Sequence, residues 1–320
     1  MPDPRVLTPG KARGLATAST DEGVFTVLAI DHRDSLRVVL APDDPDSVRA
    51  ADITALKLDL LRGLAHAASA VMLEPEYSAA QAITSRALPG SVGFLAAVEA
   101  QGYLGDPDAH RTTLLADWGV DKAKRLGASG IKLLVLYHPD GGAVSEAQER
   151  TISEVVSECA THDIPLFLEP LLYERPGAEG DRCRLVVETV RRLGPLGAEI
   201  LKVQFPLDTE RHHDRAAWRD ACAELDDAAP VPWALLSGGG SFERFREQLA
   251  LACEAGASGF MVGRALWGRY VTSPPDDRDE SMDTLQARFA ELSAITRRDG
   301  RDWAASYRLP AIDERWYQSY

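Results

Sequence analysis

Apolar runs of strand length recur along the chain. They fall at 24–30 (VFTVLAI), 69–73 (SAVML), 130–137 (GIKLLVLY), 164–169 (IPLFLE), 198–207 (AEILKVQFPL), 231–236 (VPWALL) and 258–262 (SGFMV), with a weaker one at 91–98 that contains Gly93. Runs this continuously apolar predict strands buried on both faces, as in a parallel sheet wrapped by helices. Between them, helical patterning is read at 52–66, 114–126, 145–162, 182–193, 215–225 and 242–255, and helical material follows Arg264. A polar Pro/Asp stretch (42–47) and a long loop containing Gly102, Gly105 and Pro107 separate the earlier elements. Eight strands, most followed by a helix, predict a single α/β domain over residues 1–320, a (β/α)8 TIM barrel at about 20–296 with an aromatic tail at 297–320. A doubly wound sheet shares the alternation, but no G-x-G-x-x-G follows the first strand.

In such a barrel the C-terminal strand ends and the loops after them build the active site, and inward-pointing side chains converge there. Lys202 lies in the middle of AEILKVQFPL, Lys132 within GIKLLVLY, Glu169 at the end of IPLFLE and Asp31 just after VFTVLAI. A lone strand lysine more often reaches a rim, and a glutamate before Pro170 more often opens a turn. Two lysines and a carboxylate on three successive strands are harder to explain so, because a plain core would bury three charges for no gain. The set suits imine catalysis. A neutral lysine amine adds to a ketone, and the iminium that follows draws electrons from the adjacent C–C bond. The second lysine lowers the pKa of the first, and Glu169, expected in an apolar wall with a raised pKa, shuttles protons. This pattern leaves open which lysine forms the imine.

The last two strands supply an anion site. Leu236, Ser237, Gly238, Gly239 and Gly240 precede a helix, and Gly263-Arg264 follows the final strand. Bare backbone N–H groups, a helix N-terminus and a guanidinium together suit a phosphate, at the position where such barrels usually hold one. His32 and Arg33, beside Asp31, are further substrate-binding candidates. His212-His213-Asp214 reads as a solvated helix start, since the seven histidines show no convergent spacing for zinc. No metal or cofactor is expected. Trp118, Trp218, Trp233 and Trp267 read as packing.

Lys plus Arg number 35 against 49 Asp plus Glu, a net charge of −14. That balance argues against nucleic acid or an anionic membrane as partner and leaves an anionic small molecule dependent on a local positive site. Cys159, Cys183, Cys222 and Cys253 form no C-x-x-C pair and read as buried thiols of a reduced compartment. The segment MPDPRVLTPGKARG has no apolar core and no window approaches a membrane span, so a cytoplasmic location is expected. The tail, with Trp303, Tyr307, Trp316, Tyr317 and Tyr320, is expected to dock on its own barrel or on a neighbouring subunit of a homo-oligomer.

The segments LAIDHRDSL, MLEPEY, GASGIKLLVLYHPDG, ECATHDIPLFLEP, EILKVQFPL, PWALLSGGGS and GASGFMVGRALW occur in that order over about 14–267. Together they resemble the class I tagatose-1,6-bisphosphate aldolases and their relatives, the sulfofructosephosphate aldolases. The resemblance implies a (β/α)8 barrel that reversibly cleaves a phosphorylated ketohexose, such as tagatose 1,6-bisphosphate, to dihydroxyacetone phosphate and an aldehyde such as glyceraldehyde 3-phosphate. It implies that Lys202 is the Schiff-base lysine, Glu169 the acid/base and Lys132 the second lysine. Asp31 would contact substrate hydroxyls, and Leu236, Ser237, Gly263 and Arg264 would belong to the phosphate pocket. Where the family usually reads Asp-Gln-Arg, this chain has Asp31-His32-Arg33, and the Gly238-Gly239-Gly240 triplet makes the pocket floor barer. Alternatives are a sulfofructosephosphate aldolase releasing sulfolactaldehyde, a sugar-phosphate-sensing regulatory barrel, and a barrel isomerase with Glu169 as base.

Overall fold

A computed structural model describes residues 5–100, 111–173, 182–272, 278–318 and 320. Ten strands occur in it: β1 (Arg5–Val6), β2 (Phe25–Ala29), β3 (Ala70–Leu73), β4 (Gly93–Ala97), β5 (Gly130–Tyr137), β6 (Leu166–Leu172), β7 (Ile200–Val203), β8 (Trp233–Leu236), β9 (Gly259–Val262) and β10 (Tyr307–Arg308). All eight runs read from the sequence are strands, and β2 to β9 close in that order into a barrel in which every neighbouring pair is parallel. The continuous apolarity of the runs has its cause in two cores. One lies between barrel and helices and takes Val71, Leu73, Leu133, Leu201 and Leu235. The other fills the barrel with Phe25, Val27, Met72, Leu95, Phe167, Ile200 and Met261. Alternate residues of one strand feed different cores, so both faces of the strands are mostly apolar.

The outer layer contains the helices Ala50–Leu64, Ala143–Thr161, Arg182–Leu193, Arg215–Ala228 and Phe242–Ala255, close to their expected places. The helix expected over 114–126 is shorter, Val120–Leu126. Leu114 instead bridges to Glu99 in an antiparallel contact, and Asp117 takes φ +59°, a left-handed conformation that no helix tolerates. The expected loop with Gly102, Gly105 and Pro107 lies outside the described residues. His212 and His213 are exposed, and Asp214 caps the helix Arg215–Ala228 by accepting a hydrogen bond from the Ala216 N–H at 2.9 Å. All four cysteines are buried free thiols.

Two features below the barrel are not evident from the apolar runs. A helix, Pro9–Ala18, packs under the strand N-termini, and β1 pairs in parallel with β10. The tail thus docks on its own barrel. Trp303 is buried beside Leu7 and Leu15, and the Tyr307 hydroxyl donates to the Glu199 carbonyl at 2.5 Å. Among the described residues no helix is long and apolar enough to cross a membrane.

Candidate active site

Strand parity assembles the site at the opposite, C-terminal mouth of the barrel. On β7, Leu201 and Val203 face the helices, while Ile200 and Lys202 face inward. The same rhythm turns Glu169 on β6 and Lys132 on β5 into the barrel, and Asp31 follows two residues after inward-facing Ala29. They line a cavity of about 230 Å³ that also receives His32, Arg33, Ser237, Gly263 and Arg264.

The two lysines have different partners. Lys202 Nζ lies 2.8 Å from Glu169 Oε1 and 3.7 Å from the Met72 sulfur across the barrel. Lys132 Nζ meets three carboxylates: Glu99 Oε1 at 2.5 Å, Asp31 Oδ2 at 2.7 Å and Glu169 Oε2 at 3.3 Å. Glu169 therefore bridges the two lysines instead of sitting in an apolar wall, which corrects the expectation for its surroundings. Burial alone works against charge on Lys132, but Asp31, Glu99 and Glu169 outweigh it and hold this ammonium well above the ordinary lysine range. For Asp31, burial pushes upward, yet Lys132 and Lys202 prevail and keep it well below the usual carboxylate range. Burial raises the Glu99 carboxyl despite the pull of Lys132.

Glu99 and Gln204 were not among the expected site residues. Parity locates both: Glu99 follows inward-facing Ala97 by two, and Gln204 follows Lys202 by two. Glu99 also accepts the Leu134 N–H at 3.2 Å. Arg33 lines the cavity, but its guanidinium donates to Glu76 at 2.9 Å and to the Glu99 carbonyl at 2.8 Å. Its charge serves to hold Glu99 in place.

His32 packs edge-on against Trp267, with ring centroids 5.1 Å apart, and Trp267 is itself fixed by donating to the Ala29 carbonyl at 3.0 Å. Burial, helped by the cations Arg264 and Lys202, lowers its pKa to about 3 against the pull of Asp31. The imidazole is neutral in the physiological range. A methyl group on Gly263 would stand 2.9 Å from His32 Cε1, so this turn admits only glycine while the ring stays put.

At the end of β8, Gly238 (φ +58°) and Gly239 (φ +85°) turn the chain in a conformation that disfavours side chains. Ser237 Oγ accepts the Gly263 N–H at 3.3 Å, which ties the two loops together. The helix Phe242–Ala255 is capped by its own Ser241, whose hydroxyl accepts the Arg244 N–H at 3.2 Å. That leaves the glycine loop and Arg264, which opens the helix Arg264–Thr272, lining this side of the cavity. Among the described residues, Arg264 is the one cation lining the cavity that has no carboxylate within ion-pair distance. No group of three or more His, Cys, Asp or Glu side chains among the described residues is arranged to hold a metal ion.

A family profile described as "DeoC/LacD family aldolase" matches residues 25–269. The chain belongs to this family. It is an aldolase, a carbon–carbon lyase. Tagatose 1,6-diphosphate aldolase 2 of Streptococcus mutans serotype c is 30% identical over 289 residues, covering 83% of this chain and 86% of that protein. Tagatose 1,6-diphosphate aldolase of Streptococcus agalactiae serotype V is likewise 30% identical, covering 83% and 87%. Among solved structures, an archaeal fructose 1,6-bisphosphate aldolase aligns with a TM-score of 0.63 at 19% identity, over 89% of this chain and 98% of its own. A Schiff-base-forming fructose-1,6-bisphosphate aldolase aligns with a TM-score of 0.61 at 20% identity, over 87% and 98%. These two likenesses concern the barrel fold.

Proposed function

We propose that this aldolase works through a Schiff base on Lys202, reversibly cleaving a phosphorylated ketohexose to dihydroxyacetone phosphate and an aldehyde. Tagatose 1,6-bisphosphate, named for the relatives in Streptococcus, is the first substrate to try. The observation that carries the reading is the unequal pairing of the two lysines. Lys132 is locked as a cation by three carboxylates, whereas Lys202 has one, and that one can take its proton.

The steps follow from the contacts. Lys202 passes a proton to Glu169 Oε1 and adds as a free amine to the C2 carbonyl. Glu169 returns the proton to the carbinolamine hydroxyl, water leaves, and a positively charged iminium remains. Glu169 then accepts the C4 hydroxyl proton, through an oxygen such as Oε2, which lies near Lys132 but accepts no hydrogen bond from any described residue. The C3–C4 bond breaks, its electron pair moves into the iminium, and the aldehyde departs. Protonation at C3 and hydrolysis release dihydroxyacetone phosphate and restore Lys202. The iminium is the electron sink, so the route needs no cofactor. Lys132 stays positive throughout and stabilises oxyanion character at the hydroxyls, Asp31 orients them, and Arg264 with Ser237, Gly238 and Gly263 holds the C1 phosphate.

Borohydride reduction in the presence of dihydroxyacetone phosphate, followed by peptide mass spectrometry, tests this. A stable adduct on the peptide carrying Lys202 is expected. An adduct on Lys132 would reverse the two roles. No adduct at all, with binding of dihydroxyacetone phosphate shown by calorimetry, would sink the imine mechanism.

A further inference from the structure

The cavity has two unlike ends. Ser237, Gly263 and Arg264 stand over β8 and β9, and in the closed strand order β5 lies directly across the barrel from β9. That far side is lined by Leu134 and Leu136 of β5 with Leu171 and Leu172 of β6. Leu136, Leu171 and Leu172 are only half-buried, so they present apolar surface to whatever enters. Below them the one cation of this wall, Lys132, is already matched by Asp31, Glu99 and Glu169.

Strand geometry fixes the heights. At about 3.3 Å per residue, Leu171 stands roughly 6.6 Å above Glu169 on the same strand. A ketose held by its C1 phosphate at Arg264 and by C2 at Lys202 places C4 at Glu169 and carries C5 and C6 up against the leucines. Such a wall gains free energy by covering a methyl group, and among the described residues it offers a second phosphate no unmatched cation.

We infer that this site also cleaves ketohexose 1-phosphates whose far end is uncharged, with 6-deoxyketohexose 1-phosphates fitting the wall best. The inference rests on the Schiff-base reading above. The C3–C4 bond breaks, the C4 hydroxyl proton goes to Glu169 and the electron pair goes to the iminium. The products are dihydroxyacetone phosphate and 2-hydroxypropanal, with no further reactant than the water that frees the amine.

The test compares kcat/KM for a 6-deoxyketohexose 1-phosphate, the parent ketohexose 1-phosphate and the 1,6-bisphosphate of one configuration. The deoxy compound is expected within about tenfold of the bisphosphate, since a well-placed methyl contact alone is worth roughly that factor. Leu136→Gln should lower the ratio of the deoxy to the bisphosphate kcat/KM by about tenfold, because only the methyl end loses a favourable apolar contact. If the bisphosphate is preferred by more than about tenfold while dihydroxyacetone phosphate still forms its Lys202 adduct, the apolar-end proposal falls and the imine mechanism stands. Absence of both adduct and turnover with all three ketoses would overturn the two together. The comparison in the unaltered enzyme decides even if the variant does not fold.

Discussion

At the residue scale, His32 shows how burial decides the meaning of a substitution. Read from the sequence, a histidine where the family has glutamine introduces a group that ionises near neutral pH. In the fold it is wedged between Trp267 and Gly263 with Arg264 and Lys202 nearby, and its pKa falls to about 3. A neutral imidazole donates and accepts like the amide it stands for, so the departure is chemically small. It has a consequence for stability. Between pH 6.5 and 3 the unfolded chain binds a proton here that the native state refuses, so stability present above pH 6.5 is lost as pH falls. At pH 5 the loss is about 2 kcal/mol, from 1.5 pH units at about 1.4 kcal/mol each. Denaturant unfolding of the wild type and His32→Gln at pH 7 and pH 5 checks this. The wild type should lose about 2 kcal/mol more than the variant over that interval, and parallel losses would show that His32 titrates normally.

At the element scale, the legible parts were those whose signal lies in consecutive residues. Eight barrel strands could be read because both their faces are apolar, and Lys132, Glu169 and Lys202 stood out against that background. Glu99 was missed because it lies beyond the apolar run at 91–98, where only the inward alternation through Leu95 and Ala97 points to it. The surroundings of Glu169 were misjudged for a related reason: its partners come from β5 and β7, and no local pattern reports a cross-barrel contact. The helix Pro9–Ala18 was also not read, since Gly10 and Gly14 weaken its helical pattern. Those glycines have a packing role. A methyl group on Gly14 would overlap the Ser129 carbonyl oxygen and come within 2.6 Å of the Pro165 ring. Gly14→Ala, which elsewhere in a helix gains stability, is therefore expected to lower it by about 1–3 kcal/mol through overpacking. Thermal unfolding measures the sign directly, and a raised Tm would show that the helix can slide away from the barrel floor.

At the scale of the whole molecule, support and chemistry occupy opposite ends of the barrel. The lower end is fastened by both termini. Arg5 donates to the Ala198 carbonyl at 2.9 Å, Lys11 pairs with Glu199 at 2.7 Å, and Thr8 and Tyr320 both reach Asp163. Trp303 plugs the floor beneath Phe25, Phe167 and Ile200, and its indole N–H donates to Ser19 at 3.0 Å. None of these groups lines the cavity around Lys202. Barrels of this kind commonly divide labour so, with stability invested below and loops above free to vary in what they bind. Trp303→Ala removes a large buried ring from the floor and is expected to cost about 3–5 kcal/mol. At a temperature where the variant is still folded, its trapping by borohydride and dihydroxyacetone phosphate should match the wild type. Reduced trapping in a folded variant would instead mean that strain at the floor travels along the strands to Lys202, and that the two ends of this barrel are coupled.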